Sequence, residues 1–434
     1  MGHPTQTKSL LYAIIAPWVR LGVRWFFRRV EVRNRELVPA DKPVILIANH
    51  QNALLDPVLI SLFSNKQCHW LTRSDVFRNP TVGNILRKLN MLPIYRERDK
   101  LSDMSEKNLV IFNICYGRLQ RGAMICLFPE GTHRGRKQLA PLKKGTARLV
   151  AGAMQEGVHD VYIMPVGIEL GDFYNPDTTL LLQFGQPKRL LDFYKPEEIQ
   201  QAKSQNDLTK KLRDWLEPVM IHIEDDELYE DFMFIQHVIA GVHPRWSLSK
   251  QFEAFQGWIH RMKSDDALRS EFVQRVKPWI ALSNQLEIQP DTQALKTPVK
   301  SVLLFLLTFP IAILGWIYFR PIHLLSEWVI RTKIQDTLFY NSIRVSVWTF
   351  ATPIYVALTF GVLMLFMPAV CAISSLGILV FSGFFVKIMV RQFSHVKNIL
   401  KLRSTAKKHP SDWKKWQEGQ QDAVNWLRSI IPGF

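Results

Sequence analysis

The sequence predicts an α/β domain joined to a helical membrane region, and three observations carry that prediction. Between Glu31 and about Leu190, short apolar runs alternate with helical stretches, the pattern of sheet and helix layers sharing a core. From Val345 to Val386 there is no charged residue, a run about twice the ~20 residues that one helix needs to cross a bilayer. Near the N-terminus Arg20, Arg24 and Arg28 recur every fourth residue, with Leu11, Ile14, Ile15, Trp18, Trp25 and Phe26 broadly opposite. That pattern predicts a helix lying in a membrane interface, with a basic stripe toward the headgroups.

Taken in order, the apolar stretch from Leu10 to Val19 is too short to span a bilayer. Arginines follow it in place of a small-residue cleavage site, so no signal peptide is expected. Candidate strands are Val44–Ala48, Met91–Tyr95, Met124–Phe128, Val161–Ile168 and Leu180–Phe184. Helical patterns cover Pro57–Phe63, Thr81–Leu89, Ser102–Arg121 and Lys143–Glu156. None of these helices opens on a glycine-rich phosphate loop, so a nucleotide site of that kind is not expected. Past Leu190 a polar helical stretch, Glu197 to Trp215, leads to the acidic cluster Glu224 to Glu227. Helices then continue to about Gln293, with Trp246, Phe252, Phe255 and Trp258 expected in a core or near the membrane.

The long uncharged run reads as two helices turning near Met367–Ser375. Ser301 to Phe319 is a third uncharged run, with Pro310 inside it. Basic residues flank every end of these runs, and if the α/β domain and the tail share the cytoplasmic side the number of crossings is even. The first run is therefore expected to be re-entrant or interfacial. The expected organisation is an interfacial helix over 1–30, an α/β domain over 31–190 and a helical polar region over 191–299. Membrane-embedded helices follow over 300–391 and a basic cytoplasmic tail over 392–434.

Lys and Arg together number 55 against 38 Asp and Glu, a formal net charge of +17, which favours an anionic partner. Thirteen tryptophans and the apolar runs point that preference to a phospholipid membrane and away from nucleic acid. Four cysteines, at 68, 115, 126 and 371, show neither CxxC nor Cys/His metal spacing, so reduced thiols and no metal are expected.

Three strand ends carry chemistry. After Val44–Ala48 come Asn49, His50 and Asp56, the last expected to cap a helix that begins at Pro57. A neutral imidazole suits proton removal near neutral pH, and a carboxylate on its other nitrogen fixes the tautomer and stabilises the imidazolium. After Met91–Tyr95 come Arg96 and Arg98, whose guanidiniums suit a phosphate. After Phe128 come Glu130, Gly131, Thr132, His133 and Arg134, then Arg136, Lys137, Lys143, Lys144 and Arg148. Here a glycine permits a tight turn with close ligand approach, ringed by cations.

In these residues the sequence resembles the glycerolipid acyltransferases of the PlsC/GPAT superfamily, which carry four blocks in fixed order. Asn49-His50 through Asp56 looks like the first block, and Leu92-Pro93-Ile94-Tyr95-Arg96 like the second. Phe128-Pro129-Glu130-Gly131-Thr132 matches the third, FPEGT, letter for letter, and Ile163-Met164-Pro165-Val166-Gly167 looks like the fourth. The resemblance covers about Val30 to Leu190. Five residues, Gln51 to Leu55, separate His50 from Asp56 where four are common in the family. The yeast-type acyltransferases acting on glycerol 3-phosphate and dihydroxyacetone phosphate have a similar interval and a long C-terminal membrane part.

The resemblance implies an α/β acyltransferase domain with a mixed sheet flanked by helices. It implies transfer of a fatty acyl group from acyl-CoA or an acyl-carrier protein to glycerol 3-phosphate, with no cofactor. His50 would act as general base, Asp56 as its orienting partner, and Arg96 as the grip on the substrate phosphate, helped by Arg98, Arg73, Lys137 or Lys143. Glu130, Gly131 and Thr132 would shape the acceptor site. Acylation of lysophosphatidate or another lysophospholipid is the nearer alternative. A non-catalytic membrane protein that binds lipid or scaffolds synthesis is the alternative of a different class.

Overall fold

The computed structural model describes residues 10–96, 102–289, 298–431 and 433–434. Arg98, one of the expected phosphate ligands, lies outside these residues. The chain divides into two compact units. Unit 1 comprises the residues up to His222 together with Ile330–Thr349, and unit 2 comprises Ile223–Val329 and Phe350–Phe434. The first boundary thus falls well beyond 190, because Leu208 and Leu212 of the polar helical stretch are buried in the same core cluster as Ile45 and Ile47.

Unit 1 is built on a mixed eight-stranded sheet. Its strands are β1 (Arg29–Arg33), β2 (Val44–Ala48), β3 (Cys68–Arg73), β4 (Leu92–Ile94), β5 (Met124–Leu127), β6 (Tyr162–Leu170), β7 (Thr179–Phe184) and β8 (Lys188–Arg189). They are ordered β1-β7-β6-β2-β5-β3-β4, with β8 beside β6. From β6 through β2, β5 and β3 to β4 every pairing is parallel, while β7 and β8 run antiparallel to β6.

The helices α1 (Leu10–Phe26), α2 (Leu55–Phe63), α3 (Pro80–Lys88), α4 (Met104–Gln120), α5 (Gly145–Gln155) and α6 (Ala202–Leu216) complete the layers. Strand β2 shows why a continuous apolar run was needed. Val44, Leu46 and Ala48 enter a cluster with residues of α1 and α2, while Ile45 and Ile47 enter one with residues of α4, α5 and α6. All five are fully buried, as a strand covered on both faces requires.

Helix α1 differs from the expected basic stripe. Arg20 turns inward, its Nε donating to the Leu62 carbonyl at 3.1 Å, and Tyr12 Oη donates to the Ser61 carbonyl at 2.6 Å. The exposed side chains run from Ile14, Trp18 and Leu21 to Arg24 and Arg28, so the outward face is apolar first and basic last. This suits a helix dipping into an interface from one end.

Unit 2 holds a helical core and the apolar helical segments outside Ile330–Thr349. The core comprises α7 (Tyr229–Val242), α8 (Leu248–Ser264), α9 (Asp266–Glu271), α10 (Lys277–Gln285) and the C-terminal α14 (Pro410–Ile430). Phe255 and Trp258 are buried there, and Trp258 packs edge-on to Phe232 at 4.7 Å. Trp416 Nε1 donates to Ser283 Oγ at 2.9 Å and Trp426 Nε1 to Glu271 Oε2 at 2.8 Å, so these two buried indoles find acceptors. Trp246 stays half-exposed, stacked on His243 at 3.9 Å.

Among the described residues three helices are long and apolar enough to cross a membrane, α11 (Pro298–Lys333), α12 (Tyr340–Met364) and α13 (Ala369–Lys408). Helix α11 is unbroken through Pro310 and Pro321, so it lacks the internal turn that a re-entrant segment needs. The turn between α12 and α13 falls within 365–368, where Leu365 and Phe366 are about four-fifths exposed. Within unit 2, Gly315 of α11 lies against the backbone of Ser382 and Gly383 of α13, a close approach that any Cβ would block.

Candidate active site

The parallel strands place their carboxyl ends on one edge of the sheet, and the chemistry-bearing segments all start there. His50 follows β2, Arg73 ends β3, Arg96 lies two residues beyond β4, and Phe128 follows β5. Asn49 extends the ladder by its side chain, accepting the Ile168 N–H at 2.8 Å and donating to the Ile168 carbonyl at 3.0 Å. That amide pair fixes where the chain leaves β2.

His50 Nδ1 and Asp56 Oδ2 lie 2.9 Å apart. The same oxygen accepts the N–H groups of Gln51 and Asn52, each at 2.7 Å, and Asp56 is completely buried. With two N–H donors on Oδ2, Nδ1 is the nitrogen suited to donate to it, and in the neutral imidazole Nε2 then holds the lone pair. No described residue hydrogen-bonds Nε2, and the side chain keeps 13% exposure. Asp56 was expected at the N-cap. It lies instead inside the first turn of α2, capped by Leu54, and its carboxylate turns back over the loop. This return absorbs the five-residue interval, because the N–H groups of Gln51 and Asn52 close the extra residue onto the carboxylate.

Phe128 stacks on the His50 ring at 3.8 Å, and His133 meets it edge-to-face at 5.3 Å. The Phe128–Arg134 turn is stitched to the histidine loop, with Glu130 Oε1 accepting the His50 N–H at 2.8 Å and Arg134 N–H donating to the His50 carbonyl at 3.0 Å. Glu130 Oε2 accepts the Ala140 N–H at 2.9 Å. Burial pushes the Glu130 carboxyl up to about 7 despite those two bonds. At 2% exposure Glu130 braces the His50 loop from beneath through these bonds. Gly131 takes φ 68°, the left-handed conformation that glycine tolerates, and its N–H bonds the Phe128 carbonyl at 3.1 Å. Thr132 is half-exposed beside it, and the stem of exposed Lys143 lies over Gly131.

The expected phosphate ligands part company. Arg96 is half-buried beyond β4, on the same edge as His50. Arg73 is exposed but paired with Asp75, whose carboxyl the guanidinium holds below its ordinary value. Lys137 is 1% exposed; its ammonium is bound by the Glu169 carboxylate and donates to the Leu170 carbonyl at 3.0 Å. A lysine so enclosed ties its loop to β6 and is not presented to a phosphate. A partner that sequence alone did not disclose is Asp336, whose Oδ2 lies 2.8 Å from His133 Nε2 across 203 positions of chain.

Residues 29–169 match the family model described as Acyltransferase. The chain is 25% identical over 157 residues to the 1-acyl-sn-glycerol-3-phosphate acyltransferase BAT2, chloroplastic, of Brassica napus, covering 35% of this chain and 43% of that one. Against the 1-acyl-sn-glycerol-3-phosphate acyltransferase of Bacillus subtilis the identity is 25% over 121 residues, 28% of this chain and 55% of the relative. The Glycerol-3-phosphate O-acyltransferase 1 of Saccharomyces cerevisiae is 21% identical over 329 residues, 54% of this chain and 42% of the relative. A crystal structure of the 1-acyl-sn-glycerophosphate (LPA) acyltransferase PlsC from Thermotoga maritima overlaps 46% of this chain and 78% of its own, at 21% identity and a TM-score of 0.33. The chain spans about half the length of the curated relatives it matches. The domain formed by residues 29–169, with His50 and Asp56 at one strand end and FPEGT at the next, belongs to the PlsC/GPAT superfamily of acyltransferases.

Proposed function

We propose that the protein is a membrane-seated O-acyltransferase that moves a fatty acyl group from a thioester, acyl-CoA or acyl-carrier protein, to a hydroxyl of glycerol 3-phosphate. The observation that carries this is the His50 imidazole, held by Asp56 through Nδ1, with Nε2 bonded to no described residue at the carboxyl edge of the sheet. Nε2 takes the hydroxyl proton as the alkoxide oxygen attacks the thioester carbonyl. Asp56 stabilises the imidazolium, which returns the proton to the departing thiolate. No acyl-enzyme forms, since the incoming hydroxyl is itself the nucleophile. Arg96 grips the phosphate, with Lys143 at Gly131 as a second cation. The Gly131 N–H is already used by Phe128, which leaves the Thr132 N–H as a candidate to steady the oxyanion. The catalytic unit faces the cytoplasm, seated by α1 and anchored by the apolar helices.

Glycerol 3-phosphate is favoured by the five-residue His–Asp interval and by the yeast relative, whose alignment reaches beyond the matched domain. Lysophosphatidate is the second reading, favoured by the names of the Brassica and Bacillus relatives. The test is to supply the detergent-purified protein with acyl-CoA and each acceptor separately. Acylation of glycerol 3-phosphate is the expected result. Transfer to lysophosphatidate alone replaces the first reading by the second, and transfer to neither leaves only a lipid-binding or scaffold role.

A further inference from the structure

Asp336 lies in the short segment between α11 and α12, within unit 1. Its Oδ2 meets His133 Nε2 at 2.8 Å, and its Oδ1 accepts the Leu338 N–H at 2.9 Å, so the carboxylate is itself oriented by its own turn. The Phe339 ring stands edge-on to His133 at 5.7 Å, and the Leu338 side chain lies over Gly135. His133 is therefore held from the side of this segment, and it in turn stands 5.3 Å from the His50 ring. The segment has a second hold on the site. Ser342 Oγ donates to Asn52 Oδ1 at 2.9 Å, and Asn52 is the residue whose N–H bonds Asp56. Asn341 Nδ2 donates to the Phe173 carbonyl at 2.9 Å, the same carbonyl that the Asn52 amide reaches at 3.3 Å. Asn341 and Ser342 are buried to within 2%, polar groups that stay enclosed only because each finds these partners.

We propose that Asp336 is a positioning residue for acyl transfer, fixing His133 so that His133 and Phe128 together set the ring of His50. The inference rests on the acyl-transfer reading. A base that must meet a hydroxyl proton gains from a ring with one plane and one rotamer, and small displacements of reacting groups are costly in rate. The carboxylate supplies this indirectly: it accepts Nε2–H of His133, choosing that ring's tautomer and plane. An amide at position 336 removes the charge and the tautomer preference while keeping the size. The acyl donor and the acceptor touch neither Asp336 nor Ser342 in this scheme, so the effect falls on turnover rather than on substrate affinity.

The experiment compares Asp336→Asn, Asp336→Glu, His133→Asn and the double variant Asp336→Asn/His133→Asn in the full-length, detergent-purified protein. Asp336 is nearly half exposed, so its replacement leaves the fold intact, and thermal unfolding is recorded for each variant. Asp336→Asn is expected to lower kcat about ten- to a hundred-fold with both KM values within about twofold. Asp336→Glu should recover much of the loss, and the double variant should be no worse than His133→Asn, because the two residues act as one unit. The proposal is overturned by wild-type kcat in Asp336→Asn, by additive losses in the double variant, or by a kcat that falls only in step with the unfolding temperature. A wild-type protein that acylates neither acceptor overturns the acyl-transfer reading and this inference together. An active wild type with an indifferent Asp336→Asn overturns this inference alone.

Discussion

His50 and Asp56 are the residues on which the proposed acyl transfer turns. His50→Ala should lower acyl transfer roughly 100- to 10,000-fold while the unit stays folded, because a general base contributes about that much. Asp56→Asn should do comparable damage, since an amide beside Nδ1 neither stabilises the imidazolium nor fixes the tautomer. Both are read from single-turnover rates beside circular dichroism, and near-normal rates would dismiss the mechanism. Glu130 makes a different prediction. Its carboxyl is raised from an ordinary 4.5 to about 7 by burial, so between those values the folded protein holds a proton that the unfolded chain has lost. Stability from this group is full below about pH 4.5 and is lost as pH rises through about 7, on the order of 3 kcal/mol in all. Replacing it by glutamine should remove that slope from the pH dependence of unfolding between about pH 4.5 and 7, and an unchanged slope would show the carboxyl already ionised. The His50–Asp56 pair was legible in the sequence because its members are six positions apart at one strand end. The inward turn of Lys137 was not, because a lysine in a basic loop gives no local sign that Glu169 will enclose it.

At the scale of elements, legibility followed burial. The runs that became β2, β5, β6 and β7 are nearly all apolar, and their expected limits differ from the observed ones by at most two residues. Strand β1 reads Arg-Val-Glu-Val-Arg and was not expected, since an edge strand paired only to β7 keeps charges along its length. Strand β3 was hidden by His69 and Arg73; its histidine is buried by pairing Nδ1 with the Arg118 guanidinium at 2.9 Å, and burial beside that cation lowers its pKa to about 3. The amide ladder of Asn49 escaped notice for the same reason, its partner lying 119 positions away. Gly167 on β6 yields a prediction of its own. A Cβ there would collide with the Val219 carbonyl, a backbone atom at the turn Glu217–Val219 that cannot swing aside. Gly167→Ala should therefore cost about 1–3 kcal/mol or more by overpacking, read from denaturant midpoints. Stability equal to wild type would mean that the turn moves freely.

At the scale of the molecule, the apolar helices dominate how the protein is held. Leucine and phenylalanine side chains stand outward along α11, α12 and α13, with Leu307 at 66% and Leu358 at 65% exposure, surfaces suited to lipid and not to water. Deleting residues 1–30 should leave the protein in the carbonate-washed membrane pellet, whereas deleting 298–391 as well should release it, because spans anchor far more firmly than one interfacial helix. Release by the first deletion alone would make the apolar helices internal core. The bond between Ser342 and Asn52 joins residues 290 positions apart, and this sets an order of events on the ribosome. Every described strand of the sheet has emerged once residue 189 is clear, yet the loop between His50 and Asp56 must wait for α11 and the segment after it to be made before Asn52 meets the Ser342 hydroxyl. Completion of the proposed acyl-transfer site is thereby coupled to synthesis of the first apolar helix. Nascent chains stalled short of Asp336 should be cut by protease within residues 49–57 faster than the released protein, and equal protection would separate the two events.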